Sequence, residues 1–228
     1  MLSVSEAIAQ RISIRSFLPT EVPRDVVAEI LDTARWAPSG GNMQPWRVIA
    51  VAGEARQAVI DLAERALAEN PHGEADEFPI YPPKLWEPYR SRRYELGEAM
   101  YALMGIPRED KPARLAHLAR NYRFFDAPVG LFFVIDRGMG YGQWAHVGML
   151  MQSIALVALE RGLGTCMQEA WGTVRKSLHA HFGLPEHEVI YCGMALGHPD
   201  WEQPVNQLRS ERAPLDEIAD FRGFDDSE

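Results

Sequence analysis

The chain has 228 residues, of which 46% are hydrophobic and 24% charged, with a net charge of −9. These values fit an ordinary globular protein able to bury a sizeable core. They argue against a nonspecific nucleic-acid binder, which needs a basic surface. No run of about 18 apolar residues occurs, so no membrane span is expected. The opening "MLSVSEAIAQRISIRSF" lacks the basic stretch and apolar core of a secretory signal. Only Cys166 and Cys192 are present, without CxxC spacing. Reduced thiols and a cytoplasmic location are the expectation.

Residues 3–11 read as a short helix with Ser3 or Ser5 as N-cap. "RISIR" (11–15) follows. In an extended backbone Arg11, Ser13 and Arg15 would share one face and the two isoleucines the other. That arrangement is a candidate anion grip, or else a polar strand face with solvated arginines. A second helix follows, with Pro23 in its first turn. Val26, Val27, Ile30, Leu31 and Ala34 recur at helical spacing, and Pro38 with Gly40-Gly41 ends it. Residues 46–53 form a β-branched strand, and 54–70 an amphipathic helix.

Residues 71–123 change character. Prolines cluster at 79, 82, 83 and 88, and aromatic residues are dense. From Lys84 to Arg123 there are nine basic and five acidic residues, a local charge of +4 in an acidic chain. The segment reads as a lid or insertion in a single 1–228 domain, placed over something negative, or as a solvated helical face. Beyond it come a buried strand at 128–136 and a helix at 144–161 that is apolar on nearly every side. A further helix over 173–185 and a buried strand at 188–197 complete the chain. Strands separated by helices argue for a layered α/β or α+β fold.

Three familiar chemistries lack their residues. Gly162-Leu163-Gly164 follows a helix, and the 138–144 glycines have the wrong spacing, so neither is a dinucleotide fingerprint. His179, His181 and His187 have no companion ligand at metal spacing, and no metal site is expected. No GxSxG elbow exists, and Ser39 has no obvious base.

What remains is an ordered series: "RISIR", "APSGGNMQPW" (37–46), "GLGTCMQEAW" (162–171) and "NQLRSERAPLDE" (206–217). In order and wording, and over essentially the whole chain, this series resembles the FMN-dependent nitroreductase family. The resemblance implies an α+β fold with a mixed central sheet flanked by helices. It also implies an intertwined homodimer with FMN at each subunit interface. Arg11, Ser13 and Arg212 would then hold the FMN phosphate, with Arg209 as the alternative to Arg212 and Ile12 as a further cofactor contact. Cationic donors suit that nearly dianionic group. Arg15 would reach the flavin's pyrimidine edge and favour the negative charge that builds there on reduction.

Pro38, Ser39, Gly40 and Asn42 would come from the partner subunit and touch the ribityl chain or ring. Gln44 would hold the ring's polar edge, with a purely structural role as the alternative. Gln168 and Glu169 would turn backbone N–H groups to flavin N5, and Met167 would pack on the ring. The implied chemistry is ping-pong transfer of two electrons from NADH or NADPH to a small aromatic acceptor, a nitroaromatic or quinone. It proceeds at the cofactor, so no catalytic side chain is assigned. Trp86, Tyr89, Arg93 and Tyr94 are the candidate substrate contacts, with Arg90, Arg92, Arg120 and Arg123 also available to an anionic substituent. Phe124 and Phe125 are expected in the core. The alternatives are a dimer that binds FMN or another phosphorylated ligand without turnover, and a flavin-destroying relative of dimethylbenzimidazole synthase.

Overall fold

The computed structural model describes residues 2–74, 78–79 and 81–224. Four strands form one sheet in the order β1-β2-β4-β3, with β1 at Arg47–Ala52, β2 at Val129–Asp136, β3 at Gly164–Gln168 and β4 at Glu188–Gly197. All three neighbouring pairs are antiparallel. An isolated parallel bridge from Ser13 to Thr165 makes the sheet mixed. β2 is buried along its length except at Asp136, and most of β4 is buried as well. Alternate side chains of β2 enter separate cores. Leu131, Phe133 and Ile135 meet Ile30, Val147 and Ile154 on one face. Phe132 and Val134 meet Val59, Ile60, Phe124 and Trp171 on the other. This double coverage is why β2 reads as a continuous apolar run.

The helices are α1 (Val4–Gln10), α2 (Arg24–Ala34), α3 (Gly53–Glu69), α4 (Tyr89–Leu103), α5 (Lys111–Ala119), α6 (Tyr141–Glu160), α7 (Arg175–His181) and α8 (Leu215–Ile218). Ser3, not Ser5, caps α1, in a reciprocal box with Glu6. Pro23 is the N-cap of α2 rather than a first-turn residue. α6 begins three residues earlier than the expected 144. The helix expected over 173–185 is shorter, because a 3₁₀ turn occupies Glu169–Val174. Residues 162–168 do more than stop α6: Gly162, at φ 71°, turns the chain into β3, which the sequence analysis did not assign.

Within 71–123, residues 75–77 and 80 lie outside the described set. The remainder is anchored at both ends. The Glu74 carboxylate accepts bonds from Lys176 N (2.7 Å) and Ser177 N and Oγ (3.1 and 2.5 Å) at the start of α7. At the return end Arg123 pairs with Glu64 at 2.6 Å. Between these anchors α4 and α5 form a hairpin. Arg114 joins it by pairing with Glu98 at 2.5 Å while its guanidinium lies 4.3 Å from the Tyr101 ring centroid. Phe124 and Phe125 then plunge into the core, 0% and 2% exposed, with φ of 54° and 51°. Positive φ in bulky side chains is costly. Here it turns both rings inward, where Phe124 lies 4.6 Å from Trp171.

Candidate cofactor site

The 11–15 segment leaves α1 and runs along the open edge of β3. Ile14 N donates to Thr165 O at 2.9 Å, and the Ile14 side chain is 2% exposed. Ile12 packs, half-buried, on the same core as Trp171. Isoleucine anchoring on alternate positions follows the expected pattern, and Arg11, Ser13 and Arg15 are left to the polar side. Ser13's hydroxyl lies against the buried Cys166 thiol; burial raises that thiol's pKa, while Arg15 and Ser13 oppose the rise.

Arg11 has a distinctive environment. Its Nε is buried and has no hydrogen-bond partner among the described residues. Burial lowers the Arg11 pKa, and the nearby Arg212 lowers it further. Two guanidinium groups thus stand within electrostatic reach of each other, one of them with an unmet donor. Such an arrangement is built for an anion, and a phosphate would satisfy both its charge and its donors. Arg212 is steadied by bonds from its Nη1 to the oxygens of Ser210 (Oγ at 2.6 Å) and Glu211 (2.9 Å). Arg209 is exposed, and it is Arg212 that Arg11 feels.

Arg15 is fixed by a residue that sequence reasoning left without a role. Asn206 is fully buried, and its Oδ1 accepts from Arg15 N at 2.8 Å. Its Nδ2 donates to Ser16 O and Asp200 O, both at 2.8 Å. Asn206 opens the quoted 206–217 stretch, which was the available signal. The Arg15 guanidinium donates from Nη1 to Ser13 O at 3.3 Å. Above it comes a second unforeseen group, His117 on α5, buried between Tyr101 and Phe125 with ring centroids 6.1 and 5.8 Å away. Its Nε2 has no partner among the described residues. Burial first, then Arg120 and Arg15, push its pKa down to about 4, so it is neutral at pH 7.

β3 carries the remaining floor. Met167 is 36% exposed, whereas Gln168 is buried. The Gln168 amide donates to Asn121 O at 2.8 Å and accepts from Trp171 Nε1 at 3.4 Å, tying the end of the 71–123 segment to β3. The Glu169 backbone begins the 3₁₀ turn; its residue surface is open, but its carboxyl lies close to the protein and burial raises its pKa.

The 38–44 loop is preformed. Ser39 Oγ accepts from Gln44 N at 2.9 Å, and Gln44 Nε2 donates to Asn42 O at 3.1 Å. Asn42 and Gln44 hold φ of 54° and 49°, strain that clusters at functional loops. Pro38, Gly40, Asn42 and Gln44 are exposed. Within one chain this loop does not join the Arg11 group. Gly40 packs near Gln143 and His146 at the start of α6, whereas Arg11 lies in a cleft with Ala155 and Leu159 farther along it. From His146 to Ala155 alone the helix rises about 14 Å.

In the 71–123 segment, Trp86, Tyr89 and Tyr94 are 59%, 50% and 49% exposed, and Trp86 meets Tyr89 edge-on at 5.5 Å. Arg93 stacks on Tyr81, 4.4 Å from its ring centroid. Arg90, Arg92, Arg120 and Arg123, assigned above as available to an anionic group, are instead held by Glu87, Glu217, Asp126 and Glu64. Cys166 and Cys192 are buried free thiols. Among the described residues, no cluster of His, Cys, Asp or Glu could hold a metal, and no helix is long and apolar enough to cross a membrane.

Comparison with known proteins identifies the family. The model of the nitroreductase family matches residues 8–198. The chain is 37% identical over 222 residues to a nitrobenzene nitroreductase of Ectopseudomonas oleovorans, covering 96% of each chain. It is 37% identical over 218 residues to a 4-nitrobenzoate reductase of Pseudomonas putida, covering 96% of this chain and 95% of that one. The crystal structure of an FMN and NADPH-dependent nitroreductase, NfnB from sphigopyxis sp. strain HMH, superposes with a TM-score of 0.95 at 44% identity, covering 98% of this chain and all of that one. With the match spanning sheet, Arg11–Arg15 segment, β3 and lid alike, the chain belongs to the nitroreductase family.

Proposed function

We propose that the protein is an FMN-dependent NAD(P)H oxidoreductase that reduces small nitroaromatic acceptors by a ping-pong sequence. The observation that carries this reading is the buried, partnerless Nε of Arg11 beside Arg212. A phosphate that bridges the two guanidinium groups relieves both their repulsion and the unmet donor. FMN fits the residues present, and when bound it would supply the two-electron chemistry.

The chain's own residues then have separable tasks. Arg11 and Arg212, with Ser13, would hold the phosphate, and Ile12 would lie beside the cofactor. Arg15, steadied by Asn206, would place a fixed positive charge at the pyrimidine edge and favour the reduced, more negative ring. Met167 would pack on the ring, and Gln168 and Glu169 would present backbone N–H groups to it. Trp86, Tyr89, Arg93 and Tyr94 would border the acceptor. The separation of the 38–44 loop from Arg11 along α6 supports a homodimer in which Pro38, Ser39, Gly40, Asn42 and Gln44 complete the partner's site. Exposed Val4 and Ile8 on α1 (74% and 54%) add apolar surface for that contact.

The test is the visible spectrum of the purified protein, before and after anaerobic addition of NADH and then NADPH. Flavin bands that bleach, and return with a nitroarene, support the reductase. Bands that persist with both donors point to a non-catalytic flavin binder. A protein that stays colourless after soaking in FMN means that Arg11 and Arg212 hold some other anion. Light scattering tests the dimer: a mass of 25.7 kDa, that of one chain, would overturn it. The relatives include both an uncharged and a carboxylated nitroarene reductase at equal identity, so similarity alone does not choose the acceptor's charge.

A further inference from the structure

The lid's charges do choose it. Resting on the reductase reading above, we propose that the acceptor is an uncharged nitroarene and that the lid holds no site for a carboxylated one. From sequence the 84–123 stretch carries an excess of four positive charges. In the fold, three carboxylates from outside it bind its arginines. Glu217 pairs with Arg92 at 2.5 Å, Asp126 with Arg120 at 2.9 Å and Glu64 with Arg123 at 2.6 Å. Two more arginines, Arg90 and Arg114, are paired within the stretch by Glu87 and Glu98. The excess falls to a single charge.

Such exposed pairs add little stability, but they cancel the field that would draw an anion. Beyond a Debye length of about 8 Å a paired lid is close to neutral. Two arginines have no carboxylate partner among the described residues, and both are engaged otherwise. Arg93 stacks on Tyr81 and Arg108 lies 5.4 Å from the Tyr94 ring centroid. Turning either toward a ligand would forfeit a cation–π contact of about 0.5–1 kcal/mol.

What the lid offers instead is open aromatic surface on Trp86, Tyr89 and Tyr94. A neutral ring gains by stacking there. A carboxylate brought against the same surface loses water and finds no arginine that is neither paired nor stacked; the stretch's two lysines, Lys84 and Lys111, are exposed to solvent and are offset in charge by Glu95, Glu109 and Asp110. The unpaired cations of the floor, Arg11, Arg15 and Arg212, face the cofactor in this reading.

The test compares 4-nitrobenzoate with its uncharged methyl ester on the FMN-loaded protein, since the two share ring and nitro group and differ in charge. The ester is expected to have a kcat/KM at least about tenfold higher. The acid's kcat/KM is expected to change less than about twofold between low and high salt. An acid turned over as well as the ester, or one strongly slowed by salt, overturns the proposal. Arg93→Gln guards against a hidden carboxylate reader. It should alter both substrates alike, and a loss confined to the acid overturns the proposal. If NADPH bleaches the flavin and neither nitroarene restores it, the nitroarene reading falls and takes this proposal with it. A protein that never bleaches fails earlier, as a reductase.

Discussion

The floor of the proposed site and the 71–123 segment proposed as its lid are built on opposite plans. The floor, β3 with the 11–15 segment, is interlocked with the core, yet it leaves cationic groups unpartnered. Gly193 on β4 is paired with Gln168 and sits on the Trp171 ring, and Asn206 is satisfied on every side, while Arg11 Nε is not. The proposed lid has five of its seven arginines paired with carboxylates, but its aromatic side chains are half in solvent. Rigidity combined with unmet charge suits a permanently held anion. Matched charge with open aromatic surface suits a ring that comes and goes. The contrast can be broken by substitutions that should have opposite consequences in the two regions.

The largest effect is expected at Gly193. A Cβ there would lie 2.4 Å from Trp171 Cδ1, and Trp171 is fully buried among Phe124, Phe132 and Tyr122. Gly193→Ala should destabilise the fold by roughly 3 kcal/mol through overpacking. In a domain of this size that lowers Tm by about 6–12 °C. An unchanged melting curve would mean that the floor is more plastic than its packing implies.

His117, where the lid meets the floor, comes next. Its folded pKa of about 4 lies below the ordinary 6.5, so the unfolded chain takes up a proton first as pH falls. Its contribution is therefore fully present above about pH 6.5 and is lost progressively down to about pH 4, with a span of roughly 2–3 kcal/mol. The charged groups nearby, Arg15 and Arg120, both oppose protonation. His117→Phe, which keeps a ring between Tyr101 and Phe125, should flatten the acid side of the Tm-versus-pH curve relative to the parent. Parallel curves would show that the acid sensitivity lies elsewhere.

Arg11→Ala separates binding from folding. Loss of charge-assisted bonds worth about 2 kcal/mol should weaken FMN binding on the order of 30-fold. Without FMN, the variant should melt no lower than the parent, because removal of Arg11 also removes its repulsion with Arg212. Titration of FMN fluorescence onto apoprotein, with paired melting curves, reads both quantities. Equal affinity in the two proteins would remove Arg11 from the anion site.

The same contrast explains what could be seen in the sequence. β1, β2 and β4 were legible because their residues are apolar and β-branched, α1 because of its serine cap, and α2 and α3 because of their apolar periodicity. β3 was not: Gly-Thr-Cys-Met-Gln is short, sits at a sheet edge and carries no alternation. The Arg11–Arg15 segment was legible through its isoleucines, whereas the nearness of Arg11 to Arg212 depends on a fold that joins residues far apart in the chain. His117 and Asn206 gave no local signal, since an isolated polar residue looks the same whether it is solvated or buried. In the lid, composition showed the excess charge and could not show its neutralisation, because three of the compensating carboxylates lie outside the stretch.

The smallest expected effect is also the sharpest test of the difference between regions, because it repeats the Gly193 substitution in the lid. Gly97 lies in the interior of α4, with no atom within 4 Å of where a Cβ would stand. The side chain has room, and its backbone is already helical, so alanine removes only the entropic cost that glycine carries in a helix. Gly97→Ala should therefore stabilise the protein by about 0.5–1 kcal/mol, raising Tm by about 1–4 °C. A gain here beside a large loss at Gly193 would establish a lid with slack above a floor with none. If Gly97→Ala lowered Tm instead, something would have to press on that face of α4, and the partner copy of the proposed dimer would be the first place to look.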